Sequence, residues 1–208
     1  MSVKVKICGI TNVPDAVAAA EAGADAIGLM FYDKSPRHIS IVTAREIVRE
    51  LPPHIIKVAV FVNPSEELVM RVIGECAANL LQFHGDEPPG FCTQFGLMSM
   101  KAFRIRDAES LRALPTFPTD AWLLDAFTED QLGGTGQKFN WELAIEAQKL
   151  GRPIFLAGGL TPANVGEAIR KVKPFAVDVS SGVESAPGKK DPEKVRAFVK
   201  AAKELERG

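Results

Sequence analysis

Four side chains of the kinds that move protons or hold anions stand at the ends of short apolar runs: Cys8, Arg37, His84 and Asp125. Cys8 closes the run from Val3 to Ile7 and is followed by Gly9. A thiol there is either a small buried hydrophobe, the common state of a free cysteine, or a base or nucleophile once its proton is lost. Asp125 closes Trp122-Leu-Leu. A carboxylate in that place either caps a turn or, held protonated, serves as a general acid. Arg37, in Ser35-Pro-Arg37-His38, is either a solvated surface arginine or a fork for a substrate carboxylate. His84, in Gln82-Phe-His84-Gly85, is either a polar group of a site or a satisfied structural histidine.

A second group points to an anion. Gly158-Gly159 precede one helix-like segment, and Ser180-Ser181-Gly182 follow Asp178 at the end of the next apolar run. Glycine lets backbone N–H groups come close to a phosphate, and a helix N-terminus adds partial positive charge. One such loop is ordinary turn chemistry. Two in succession favour a phosphate cradle. Gly133-Gly134-Thr135-Gly136 adds a further glycine-rich stretch.

The elements that must position these residues alternate strictly. Strand-like runs cover residues 3–7, 26–31, 55–62, 80–83, 98–103, 122–124, 154–156 and 176–179. Helix-like segments lie between them: 14–22, 41–51 with Ser40 as cap, one with Asn63 as cap and Pro64 in its first turn, a short helix after Pro88-Pro89, 107–114, 141–150, one capped by Thr161-Pro162, and one capped by Asp191-Pro192. Strands apolar at nearly every residue are covered on both faces, as in a parallel sheet. About eight such units fit an α/β fold, a single-domain (β/α)8 TIM barrel over residues 1–208. In that fold the site forms at the C-terminal strand ends, where the polar residues above gather, and phosphate binds after strands seven and eight.

Composition removes other classes. Lys and Arg number 25 against 26 Asp and Glu, so there is no basic surplus for nucleic acid. No apolar run reaches the roughly 20 residues of a membrane span, and the first residues lack the continuous apolar core of a signal peptide. Three cysteines without Cys-x-x-Cys spacing suggest neither a disulfide framework nor a zinc site, and point to the cytoplasm. Cys76 and Cys92 fall on helix-like segments and read as structural. The histidines are scattered, so no metal is expected.

The ordered stretches Lys6-Ile-Cys8-Gly-Ile-Thr11, Ser35-Pro-Arg37, Leu81-Gln-Phe-His84-Gly85, Leu123-Leu-Asp125, Gly133-Gly-Thr-Gly136 with Phe139-Asn-Trp141, Ala157-Gly-Gly-Leu160, Asp178-Val-Ser-Ser-Gly-Val-Glu184 and Pro187-Gly-Lys-Lys-Asp191 span nearly the whole chain. Together they resemble the phosphoribosylanthranilate isomerases of tryptophan biosynthesis. The resemblance implies an Amadori rearrangement of N-(5-phosphoribosyl)anthranilate, without redox cofactor or metal. It implies Cys8 as general base, Asp125 as general acid and Arg37 as the holder of the anthranilate carboxylate. His84 would line the site and Asp178 would meet a sugar hydroxyl. Gly158, Gly159, Ser180, Ser181 and Gly182 would surround the phosphate, with Gly134 and Gly136 on the same mouth. The implied partner is a small phosphosugar, and the protein a monomer or homodimer. Phe83 replaces a usual Leu, and Asn140 a common Asp; neither change touches the chemistry. A thiolate near pH 7 calls for some lowering of the Cys8 pKa from about 8.5.

The rivals are another phosphosugar barrel enzyme and an idle phosphate-binding barrel. An indole-glycerol-phosphate synthase would centre on Lys, and a bifunctional isomerase would carry Asp on the first strand. Loss of Cys8, Asp125 or the phosphate loops would mark an idle barrel, and all are present.

Overall fold

The computed structural model describes residues 3–125 and 141–204. Eight parallel strands close into a barrel in chain order: β1 (Lys4–Cys8), β2 (Ala26–Met30), β3 (Ile56–Phe61), β4 (Leu80–Phe83), β5 (Met98–Arg104), β6 (Ala121–Asp125), β7 (Ile154–Ala157) and β8 (Ala176–Val179), which returns to β1. Helices α1 (Val13–Glu21), α2 (Ile41–Glu50), α3 (Glu66–Cys76), α4 (Pro89–Thr93), α5 (Trp141–Gln148), α6 (Val165–Val172) and α7 (Pro192–Lys203) surround it. This is the expected (β/α)8 barrel, with β4 and β8 where expected and the ends of the other strands within one residue.

Side chains alternate between two cores, as the period of two along a strand requires. Cys8, Val60, Met100, Leu123, Phe155 and Ala176 form the interior cluster. Ile7, Leu29, Phe61, Leu81, Trp122 and Val177 belong to the larger cluster under the helices. Burial on both faces explains why the strands read as continuous apolar runs. Phe83 lies in the outer layer, stacked on Phe61 at 5.9 Å between ring centroids and on Phe95 at 6.0 Å. Its departure from the family's usual leucine is therefore a packing change behind the wall, away from the cavity.

Local chemistry sets the helix starts. Side chains of Asn12, Ser40, Ser65 and Asp191 each accept a backbone N–H of the helix that follows, satisfying donors no turn of helix can reach. Three expectations need correction. The helix after β3 is capped by Ser65, which accepts the Leu68 N–H, and not by Asn63, whose backbone is left-handed at φ 48°. The segment 107–114 is not an α-helix but a 3-10 helix over Glu109–Thr116, with Pro115 inside it. Proline lacks the N–H that a longer α-helix would need there. Thr161-Pro162 does not cap α6 directly. The cap is Asn164, whose amide N–H bonds the Thr161 carbonyl while its Oδ1 accepts the Thr161 N–H at 2.8 Å, closing a turn first.

One element had no forecast. β9 (Glu184–Ala186) and β10 (Lys189–Lys190) form a small antiparallel hairpin between β8 and α7. It folds back over the loop after β1: Thr11 Oγ1 donates to the Gly188 carbonyl at 2.5 Å, and the Lys190 N–H donates to Asp15 Oδ2 at 2.8 Å. No helix of the described residues is long and apolar enough to cross a membrane.

Candidate active site

A cavity of about 250 Å³ opens at the C-terminal ends of the strands. Cys8, Arg37, His84, Asp125, Gly158, Gly159, Asp178, Ser180, Ser181 and Gly182 all line it. The strand ends thus converge every described residue singled out in the sequence. Gly134 and Gly136 lie outside the described residues.

The β1 side of the cavity is strongly charged. Strand periodicity brings Lys6 to the same interior face as Cys8, one pleat deeper. Lys6 is fully buried, and its ammonium meets Asp178 Oδ1 at 2.8 Å. Burial alone would pull Lys6 down, but Asp178 and Cys8 outweigh it and hold the ammonium above its ordinary range. Burial pushes the Cys8 thiol up, while Lys6 pulls against that rise. The expected lowering is therefore corrected: desolvation of the thiolate outweighs the cation beside it.

Gly28 makes room for the thiol. A Cβ at this position would lie 2.6 Å from Cys8 Sγ and 3.1 Å from Cys8 Cα, because the two residues are partners across the β1–β2 pair.

The opposite side carries Asp125 and His84. Asp125 Oδ2 lies 3.5 Å from His84 Nε2, and His84 Nδ1 lies 3.4 Å from Gln82 Nε2. His84 is placed by its backbone N–H on the Phe61 carbonyl. The turn beyond it is pinned by Glu87, which accepts the N–H groups of Asn63 and Gly85 and meets buried Lys101 at 2.8 Å. Gln82 is 1 % exposed, and its Oε1 has no hydrogen-bond partner among the described residues.

Arg37, on the loop after β2, reaches over the mouth to the hairpin. Its Nε and Nη2 donate to Glu184 Oε1 and Oε2 at 2.8 and 2.7 Å. Lys190 meets the same carboxylate at 2.8 Å and also the Ser180 carbonyl at 3.2 Å. Despite burial, Arg37 and Lys190 hold the Glu184 carboxyl below its ordinary range. Burial lowers Lys190 from the usual lysine value even with Glu184 beside it.

The two glycine-bearing loops meet edge to edge. Gly158 and Gly159 have φ of 84° and 62°, a region that costs a side chain dearly. Gly182 packs so closely on the Leu160 carbonyl that a Cβ there would overlap it. Together they frame one wall of the cavity with exposed backbone, the kind of surface that takes a phosphate.

Sequence reasoning passed over four polar residues here: Lys6, Gln82, Glu184 and Lys190. The signal for Lys6 and Gln82 was present, since each lies two residues before a candidate on the same strand face. Glu184 and Lys190 had no local signal, because only the hairpin brings them to Arg37.

The chain matches the family model described as N-(5'phosphoribosyl)anthranilate (PRA) isomerase over residues 5–201. The N-(5'-phosphoribosyl)anthranilate isomerase of Trichlorobacter lovleyi is 53% identical over 202 residues, covering 97% of this chain and 98% of that protein. The crystal structure of phosphoribosyl anthranilate isomerase from Thermotoga maritima superposes with a TM-score of 0.91 at 43% identity, covering 98% of this chain and 100% of that one. A phosphoribosyl anthranilate isomerase in complex with reduced 1-(o-carboxyphenylamino)-1-deoxyribulose 5-phosphate superposes with a TM-score of 0.88 at 41% identity, with coverage of 98% and 100%.

Proposed function

The chain belongs to the N-(5'-phosphoribosyl)anthranilate isomerase family, and from that membership we propose how its own residues carry out the reaction. The enzyme is an isomerase of tryptophan biosynthesis. It converts N-(5'-phosphoribosyl)anthranilate into 1-(2-carboxyphenylamino)-1-deoxyribulose 5-phosphate. The observation that carries the residue assignment is that Cys8 and Asp125, from different strands, line one cavity walled by the two glycine-bearing loops.

Asp125 is the general acid. Its carboxyl proton goes to the furanose ring oxygen, the C1–O bond breaks, and the anilinic nitrogen lone pair forms the C1=N bond of a Schiff base. Cys8, as thiolate, is the general base. It takes the proton from C2; the C2–H electrons become the C1=C2 bond, and the C1=N pair returns to nitrogen. The resulting enolamine has a hydroxyl on C2. Loss of that hydroxyl proton and gain of one at C1 give the ketone. Each proton transfer by a placed side chain is worth about 10²–10⁴ in rate.

Arg37 holds the anthranilate carboxylate. Glu184 uses one edge of the guanidinium, so the fork is oriented and the remaining donors face the substrate. Asp178 spends one oxygen on Lys6, and its second accepts a sugar hydroxyl. Gly158, Gly159, Ser180, Ser181 and Gly182 surround the 5'-phosphate. His84 lines the site and orients Asp125. The working compartment is the cytoplasm, which suits three buried, unpaired cysteines.

The test is to generate phosphoribosylanthranilate in situ and follow the loss of its fluorescence. Rapid loss with wild type, and loss slowed at least about 100-fold with Asp125→Asn, supports the assignment. Near-equal rates in the two proteins would remove Asp125 from the acid role.

A further inference from the structure

The β1 side of the cavity holds more charge than the barrel needs. Lys6 is fully buried and paired with Asp178 at 2.8 Å across the β1–β8 seam. A buried ion pair is a weak source of stability, and apolar residues of similar volume commonly serve a core as well or better. Two residues along the same strand face lies the thiol, whose ionised form the Lys6 charge favours. Lys6 is too deep to line the cavity, so its charge reaches the chemistry only through Cys8 and Asp178.

We propose that Lys6 is a positioning residue for the base: its ammonium, anchored on Asp178, offsets part of the burial that opposes ionisation of Cys8 and so keeps the thiolate within reach of the reaction. The inference rests on the reading of Cys8 as general base.

The groups facing Cys8 carry an excess of positive charge. Lys6 comes from β1, Arg37 from the loop after β2, and Lys190 from β10. Against these three cations stand two carboxylates, Asp178 on Lys6 and Glu184 shared by Arg37 and Lys190. His84 and Asp125 line the far side of the same cavity. The neighbours on the β1 side thus sum to one positive charge with the thiol neutral, and to zero with the thiolate. Burial opposes the ionised sulfur, and the cations answer it. Lys6 is the strongest of these cations for Cys8, ahead of Lys190. When Cys8 takes the C2 proton, the thiolate becomes a thiol and the Lys6–Asp178 pair remains intact, so the lysine itself exchanges no proton.

The two members of the pair act on Cys8 with opposite sign, and a merely structural role for the pair does not predict this. Lys6 favours the thiolate, while Asp178 opposes it. The experiment is iodoacetamide alkylation of the full-length protein across pH, with the rate at Cys8 resolved by peptide mass spectrometry. Lys6→Met is expected to move the Cys8 midpoint up by at least about one pH unit. Asp178→Asn is expected to move it down. The double variant Lys6→Met with Asp178→Asn leaves no unpaired buried charge, which keeps the test available if a single variant folds poorly; its midpoint is expected above wild type. A Cys8 midpoint unchanged in Lys6→Met or the double variant, or an upward move in Asp178→Asn, overturns the proposal. The readout does not depend on turnover. Failure of the base assignment would appear separately, as isomerase activity surviving Cys8→Ser while the alkylation midpoints behave as stated.

Discussion

Arg37 and Glu184 are 147 positions apart and meet in a two-bond fork, Nε to Oε1 at 2.8 Å and Nη2 to Oε2 at 2.7 Å. The loop after β2 is thereby fastened to the hairpin after β8, and the guanidinium is aimed before any carboxylate arrives. Preorganisation of this kind lowers the cost of ordering a side chain on binding.

Glu184→Gln keeps the shape of the residue but removes its charge. It is expected to raise KM severalfold with kcat within about twofold of wild type, since the fork acts on binding common to ground and transition states. Arg37→Ala is expected to raise KM further. Steady-state kinetics on both variants check the split, and a loss confined to kcat would contradict it.

Gly28→Ala places a methyl 2.6 Å from Cys8 Sγ and 3.1 Å from Cys8 Cα, so the thiol must turn away or the strand pair must shift. Overpacking of this kind costs about 1–3 kcal/mol. Urea unfolding is expected to show a loss in that range, together with reduced kcat from displacement of the thiol. Wild-type stability with wild-type kcat would show that the wall relaxes there.

Gly182→Ala is expected to separate the two glycine-bearing loops proposed to hold the phosphate, because its Cβ would occupy the place of the Leu160 carbonyl. The readout is competition by inorganic phosphate. Its inhibition constant is expected to rise at least about tenfold, the equivalent of losing one or more charge-assisted hydrogen bonds. Unchanged phosphate inhibition would place the anion elsewhere.

Asp25 ties the barrel floor to α7. It accepts from Lys203 Nζ at 2.6 Å, from the Val5 N–H at 2.8 Å and from Lys4 Nζ at 3.0 Å. Burial raises this carboxyl, but the three donors outweigh it and hold it below its usual range. A carboxyl lowered on folding stabilises the protein above its unfolded pKa of about 3.9, and that stability disappears as pH falls toward the folded value. Below about pH 5, wild type is therefore expected to lose stability with a steeper slope than Asp25→Asn. Urea midpoints measured from pH 6 downward check this; parallel slopes would contradict it.

Much of the fold was legible because both faces of each strand are buried. β4 and β8 ran over the residues the pattern marked, and Ser40 and Asp191 cap helices where their types suggest. The 3-10 segment around Pro115 escaped because apolar spacing over so few residues does not separate one helix type from the other. The site was legible wherever a residue ends its own strand, as with Cys8 and Asp125. It was not legible where long-range contact makes the site. Glu184 looks like any surface glutamate until the hairpin carries it to Arg37. Lys6 reads as one of two lysines on the strand face that carries the thiol, yet only Lys6 is buried beside it. Lys4 instead pairs with Asp25 at the strand's other end. The pKa of Cys8 was beyond the sequence for the same reason, since burial and three cations from separate segments compete there.

The central claim is that Cys8 removes the C2 proton of the sugar and Asp125 supplies the proton that opens the ring. The most direct measurement is steady-state isomerase kinetics on Cys8→Ser beside wild type, with phosphoribosylanthranilate made in situ. The account predicts kcat at least about 100-fold lower with KM within about threefold and an unchanged melting temperature. A folded Cys8→Ser protein with near-wild-type kcat would contradict it.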